Sequence, residues 1–125
     1  MQRYIIEDAS KSPHEAIWAS LAWLEERGGG TLMCDLKVNL QDALDVDDSQ
    51  LGALEGWLSE KGIELTWERR GLPRGGNVVA AYTTRDTIEK LDKRNLDSLL
   101  VLGWSESDWR DWKEKTNPEH VELSE

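Results

Sequence analysis

The chain has 125 residues and a formal net charge of −10, from 25 Asp and Glu against 15 Lys and Arg. That length suits one compact domain, and the acidic balance excludes a general nucleic-acid binder, whose affinity rests on clustered Lys and Arg. The lone cysteine, Cys34, rules out an internal disulfide, and with two histidines the chain lacks the ligands for an ordinary structural zinc site, so packing must supply the stability.

Tyr4-Ile5-Ile6 predicts a short first strand. Ser12-Pro13-His14-Glu15 then combines an N-cap serine, proline at the first helical position and glutamate at the third, and Ile17, Leu21 and Leu24 continue on one face to Arg27, where Gly28-Gly29-Gly30 stops the helix. From Leu32 to Leu40 apolar and polar residues alternate, which predicts a second strand with one wet face. Asp47 and Gln50 form a capping box for a helix carrying Leu51, Leu54, Trp57 and Leu58. Two further strands follow, Ile63 to Trp67 and Val78 to Tyr82, and the Gly- and Pro-rich stretch between them reads as a long hairpin loop.

Thr83-Thr84-Arg85-Asp86 opens the next helix, and Leu99 to Leu102 reads as a buried strand. Ser105 and Asp108 supply a capping box for the last helix, with Trp104 and Trp109 placed as a hydrophobic staple. The order β-α-β-α-β-β-α-β-α predicts an α/β fold: a mixed, mostly parallel five-stranded sheet with four helices, in a Rossmann-like sandwich. Residues 1–116 form the single domain in this reading, and residues 117–125 form a frayed tail.

In such a sheet, ligands bind beyond the carboxyl ends of the strands, where helix N-termini present free N–H groups. Lys11 and Ser12, then Thr83, Thr84 and Arg85, then Ser105 stand at three strand-to-helix junctions, and together they are the candidate contacts for a phosphate or carboxylate. Residues 69–85 hold four arginines and no acid, so this stretch is a local positive field inside an acidic chain. Arg69, Arg70 and Arg74 of the loop are candidates for an interface or for anion binding, because a guanidinium makes paired contacts with carboxylates and phosphates. Trp109 and Trp112, three apart on the last helix, are candidate interface anchors, since seven tryptophans are many for a core this small.

Other features point to structure. Asp42 to Asp48 is acidic, but the EF-hand positions for glycine and glutamate hold Gln50 and Gly56. Asp35-Leu36-Lys37 has the acid-x-lysine form of some metal-dependent nucleases, without a second acidic strand motif beside it. Cys34 alternates with Leu32 and Leu36 and reads as a buried apolar side chain, and His14 as a surface histidine that could serve a crevice. No cofactor and no metal is expected. The expectation is a cytoplasmic, non-catalytic module that binds another protein or itself as a homodimer, with neither nucleic acid nor membrane as a partner. The alternative is a binding domain or enzyme for a nucleotide or other phosphorylated small molecule, an anionic ligand at the carboxyl edge of the sheet. A third reading sets an acidic inhibitor face against a basic target.

Overall fold

The computed structural model describes residues 1–122. Its strands are β1 (Gln2–Ile6), β2 (Gly30–Cys34), β3 (Ile63–Trp67), β4 (Asn77–Ala81), β5 (Ser98–Leu102) and β6 (Glu119–His120). Five α-helices connect them: α1 (Pro13–Glu26), α2 (Lys37–Leu44), α3 (Asp48–Glu60), α4 (Arg85–Asp92) and α5 (Glu106–Thr116), with a 3-10 turn at Ala9–Lys11. The sheet order is β3-β2-β4-β5-β1-β6, and every pairing is parallel. The chain is therefore α/β as expected, but with six strands and five helices among the described residues, and with no antiparallel pair.

Two apolar layers follow from the period-two alternation of the strands. Leu32, Cys34, Ile63, Leu65, Val79 and Leu100 face α1, α2 and α3, whereas Met33, Val78, Ala80, Leu99 and Val101 face α4 and α5. The division has a topological cause. From β1 through β3 the chain steps toward one edge of the sheet, and from β3 through β6 it steps back across to the other. Crossovers of one hand must then use opposite faces for the two directions.

Three expectations are corrected. The alternating run from Leu32 to Leu40 is not one strand: β2 ends at Cys34 and α2 begins at Lys37. Leu40, Ala43 and Leu44 are buried at helical spacing, while Leu36 and Val38, which alternation would bury, are about half exposed at 56% and 52%. Asn39 Oδ1 accepts the N–H of Leu36 at 3.2 Å, which stops the strand and starts the helix.

The hairpin is absent too, because β3 and β4 both pair with β2 and lie on either side of it. Residues 68–76 form a crossover without a helix. Nine residues at ~3.3 Å each reach roughly 30 Å, enough to return along a five-residue strand and pass over one neighbour. Leu72 packs on the α4–α5 side and shows which face the loop takes. In the tail, Glu119 and His120 pair with Tyr4 and Ile5 as β6, and the remainder of the expected frayed segment, residues 123–125, lies outside the described residues.

Among the described residues, no helix is long and apolar enough to cross a membrane.

Candidate functional site: the carboxyl edge of the sheet

A parallel sheet delivers every strand-to-helix junction to one edge. Because β4, β5 and β1 are consecutive neighbours, with Ala81 opposite Leu102 and Leu102 opposite Ile6, the junctions carrying Lys11, Ser12, Thr83, Thr84, Arg85 and Ser105 share that edge. They divide between the faces, however, since α1 lies on one side of the sheet and α4 and α5 on the other.

The N-terminus of α4 already holds an anion from the chain itself. Asp35, just past β2, accepts the backbone N–H of Thr84 at 2.8 Å and the hydroxyl of Thr87 at 2.6 Å. A carboxylate at this helix end satisfies an orphan donor and complements the dipole, and it would repel an incoming phosphate. The sequence marks Asp35 only as part of an acid-x-lysine pattern and gives no sign of this role, because its partners stand 49 and 52 residues away. Replacing Asp35 with alanine is expected to destabilise the protein by about 1–2 kcal/mol in urea unfolding and to speed amide exchange at Thr84. Unchanged unfolding would show that the carboxylate is not the cap.

Arg85 is likewise engaged. Its Nε meets Glu89 Oε1 at 3.1 Å and its Nη2 meets Asp111 Oδ2 at 2.9 Å, so the guanidinium links α4 to α5. The hydrogen bond it donates to Glu89, and after it the charges of Asp111 and Glu89, raise its pKa. Ser12 and Ser105 make no side-chain cap to their helices. The Ser105 hydroxyl meets that of Ser107 at 3.0 Å instead, so the expected capping box with Asp108 does not form. Lys11 is exposed and has no ion pair among the described residues.

What the edge offers is an apolar crevice. Tyr82 has φ of 57°, a left-handed conformation unusual for an aromatic residue that costs roughly 1–2 kcal/mol. It is held there by its N–H to Leu102 O at 3.0 Å and by its hydroxyl to Pro13 O at 2.8 Å. Burial raises the phenol's pKa, and the neighbouring Cys34 adds to the rise. Trp104 lies edge-on to Tyr82, with ring centroids 5.4 Å apart, rather than buried as half of a staple, and remains 56% exposed. These two rings, with Pro13, Ala43, Asn39 and Asp42, line a crevice of about 310 Å³. Leu36 and Val38 are exposed at the same edge, so most of the large apolar side chains left open to solvent gather here.

Two buried donors just beyond the ends of β4 and β5, outside the crevice lining, lack partners among the described residues: the Thr83 hydroxyl and the Trp109 indole N–H. Thr83 follows Tyr82 at the end of β4. Trp109 lies against Gly103 so closely that a Cβ there would come within 2.5 Å of its Nε1. Buried polar groups are ordinarily hydrogen-bonded, so both are exceptions within this fold.

Other sequence candidates fall elsewhere. Trp109 and Trp112 are buried at 8% and 5% in the α4–α5 layer and present no free face for an interface. The three loop arginines divide: Arg69 lies apart, whereas Arg70 and Arg74 both line one cleft on the sheet face. Arg69 lines a recess with Leu36 and Trp67 at the carboxyl edge. Arg70 folds back on the outer edge of β3, donating to Leu65 O and to Glu55 Oε2, both at 3.1 Å, with its guanidinium 4.1 Å from the centroid of the Trp67 ring. That contact blocks one carbonyl of an open strand edge. Arg74 lies over the sheet face.

His14 Nδ1 sits 3.3 Å from Ala43 O, outside the crevice lining. Burial, with the charge of Asp35, pushes the Cys34 thiol up to about 12, which leaves it protonated and a poor nucleophile at neutral pH. Among the described residues, no group of three or more His, Cys, Asp and Glu side chains is placed to hold a metal ion.

Comparison with protein-family models, with curated proteins and with solved structures found no match to this chain.

Proposed function

We propose that this chain is a small cytoplasmic, non-catalytic module of Rossmann-like design that acts by binding another protein at the carboxyl edge of its sheet. The observation that carries the reading is the half-exposed Trp104 beside the Tyr82 crevice, with Leu36 and Val38 exposed on the same edge. Exposed aromatic side chains next to a concave apolar site are the usual anchors of interfaces. Asp42 on the rim and the net charge of −10 favour a partner whose apolar anchor is flanked by Lys or Arg.

Affinity isolation with the wild-type protein and with Trp104→Ala tests this. The expected result is a stoichiometric partner, or a homodimer in analytical ultracentrifugation, whose affinity falls by about thirtyfold or more in the variant, the effect of truncating a hot-spot aromatic. Equal binding by both proteins, or a monomer without a partner in either, would count against the crevice as an interface.

A second reading, a nucleotide or phosphorylated small molecule at this edge, draws support from the unpartnered donors of Thr83 and Trp109. Asp35 at the end of α4 and the two carboxylates on Arg85 oppose it.

A further inference from the structure

Away from the carboxyl edge, a larger cleft of about 680 Å³ opens on the α4–α5 face of β2 and β3, beneath the crossover loop. Its origin is topological. The connection from β3 to β4 is the one crossover without a helix, so this part of the sheet is covered only by residues 68–76. The strand pattern matches that exposure. Thr31, Glu64 and Thr66 line the cleft at face positions where a helix-covered strand would carry aliphatic residues. Thr31 stands opposite Glu64 and Met33 opposite Thr66 in the register, so these polar residues form a contiguous floor.

Three arginines line the same space: Arg70, which is paired with Glu55, and two from distant segments, Arg74 of the loop and Arg94 of the connection between α4 and β5. Neither Arg74 nor Arg94 has a carboxylate within salt-bridge distance among the described residues. The chain holds 25 acidic side chains against 15 basic ones, and Arg3, Arg70, Arg85 and Arg110 each find an acid. Two guanidiniums left without one, on a shared concavity, form a site of opposite sign to the rest of the molecule. The Thr66 hydroxyl donates to Gly71 O at 3.0 Å, which ties the loop to the floor and leaves its oxygen lone pairs free to accept.

We propose that this cleft binds a phosphate-bearing small molecule of about mononucleotide size. Arg74 and Arg94 grip the phosphate from two sides, and Thr31, Glu64 and Thr66 hydrogen-bond the polar body. Phosphate suits the pair because its several terminal oxygens accept from two forks at once. The volume lies in the range of ordinary small-molecule sites. The reading is independent of the protein interface at the carboxyl edge.

Calorimetric titration with AMP and with inorganic pyrophosphate tests it at low ionic strength. Saturable binding of either probe is expected, weakened about tenfold or more by Arg74→Ala or by Arg94→Ala and lost in the double variant. Arg69→Ala, which removes a cation outside the cleft, is expected to leave the affinity unchanged. Arg94→Lys keeps the charge without the fork and is expected to bind at an intermediate level, which serves if an alanine variant misfolds. No saturable binding of either probe up to about 10 mM overturns the proposal. Binding that survives the double variant, or that falls equally in Arg69→Ala, overturns it as well.

Discussion

Gly30→Ala is expected to lower the melting temperature by roughly 10 °C or more. Gly30 is the first residue of β2 and has φ of +155°. A Cβ there would stand 2.2 Å from the carbonyl oxygen of Asn77 and 2.7 Å from Leu24 Cδ2. The leucine could turn away, but the carbonyl belongs to the first residue of β4, the central neighbour of β2. Relief therefore requires the two strands to part. Asn77 is itself fixed, with Nδ2 donating to Gly29 O at 3.2 Å and Oδ1 accepting from Ser98 Oγ at 2.7 Å, so one side chain joins the starts of β2, β4 and β5.

An overpacked, backbone-limited contact of this kind costs about 2–4 kcal/mol. Gly52→Ala and Gly56→Ala are the internal controls. Both glycines lie in α3 with nothing within 4 Å of an added Cβ, so each is expected to stabilise by about 0.5–1 kcal/mol. Thermal melts of the three variants that failed to separate in sign would refute the placement of β2 against β4.

Asp92→Ala is expected to cost about 2–3 kcal/mol at neutral pH, with a loss that shrinks in acid. Asp92 ends α4, where the helix dipole disfavours a negative charge, and yet three elements depend on it. Its Oδ1 accepts from Arg3 Nε at 2.7 Å and from Trp112 Nε1 at 2.9 Å, and Oδ2 meets Arg3 Nη2 at 3.4 Å. Alanine would leave the indole N–H of a buried tryptophan unpaired beside an unpaired arginine.

Burial pushes the Asp92 carboxyl up, but the hydrogen bonds from Arg3 and Trp112, with the charges of Arg3 and Lys115, outweigh it and hold its pKa below the usual value of 3.8. A depressed folded-state pKa makes a contribution that is fully present above the unfolded pKa, about 3.9, and lost as the pH falls through the folded value. The gap between wild type and variant in urea unfolding should therefore stay constant from about pH 5 to 8 and narrow below about pH 4. A gap that widened in acid would reverse the sign and remove the ion pair as its source.

Local chemistry in the chain determined most of the elements by itself. Pro13 and Glu15 start α1 and the glycines after Arg27 stop it. Asp47 and Gln50 form the expected capping box, with Gln50 N–H to Asp47 Oδ1 at 2.8 Å and Asp47 N–H to Gln50 Oε1 at 2.9 Å. The uninterrupted apolar runs of β4 and β5 announce strands covered on both faces. These signals span a few residues and survive in isolation, so they could be read in order along the chain. The alternation of strand and helix likewise sufficed for the α/β class.

Tertiary structure decided what depends on residues far apart. Strand alternation and a Gly- and Pro-rich loop fit a hairpin and a parallel crossover equally well; only the insertion of β2 between β3 and β4 separates the two. That insertion opens the cleft under the loop, brings Arg94 to Arg74 and ties Arg70 at the cleft margin to the strand edge, while Arg69 lines a different recess, so arginines that look like one site divide. Leu36 to Leu40 fits both periods, and the burial of Leu40, Ala43 and Leu44 on the sheet made it a helix. The same turn placed Asp35 under α4, filling with a carboxylate of the chain the helix end that the sequence offers to a ligand. Pairing partners and through-space charges are properties of the packed sheet, because contacts across 20 to 50 residues leave no periodic trace in the segments that make them.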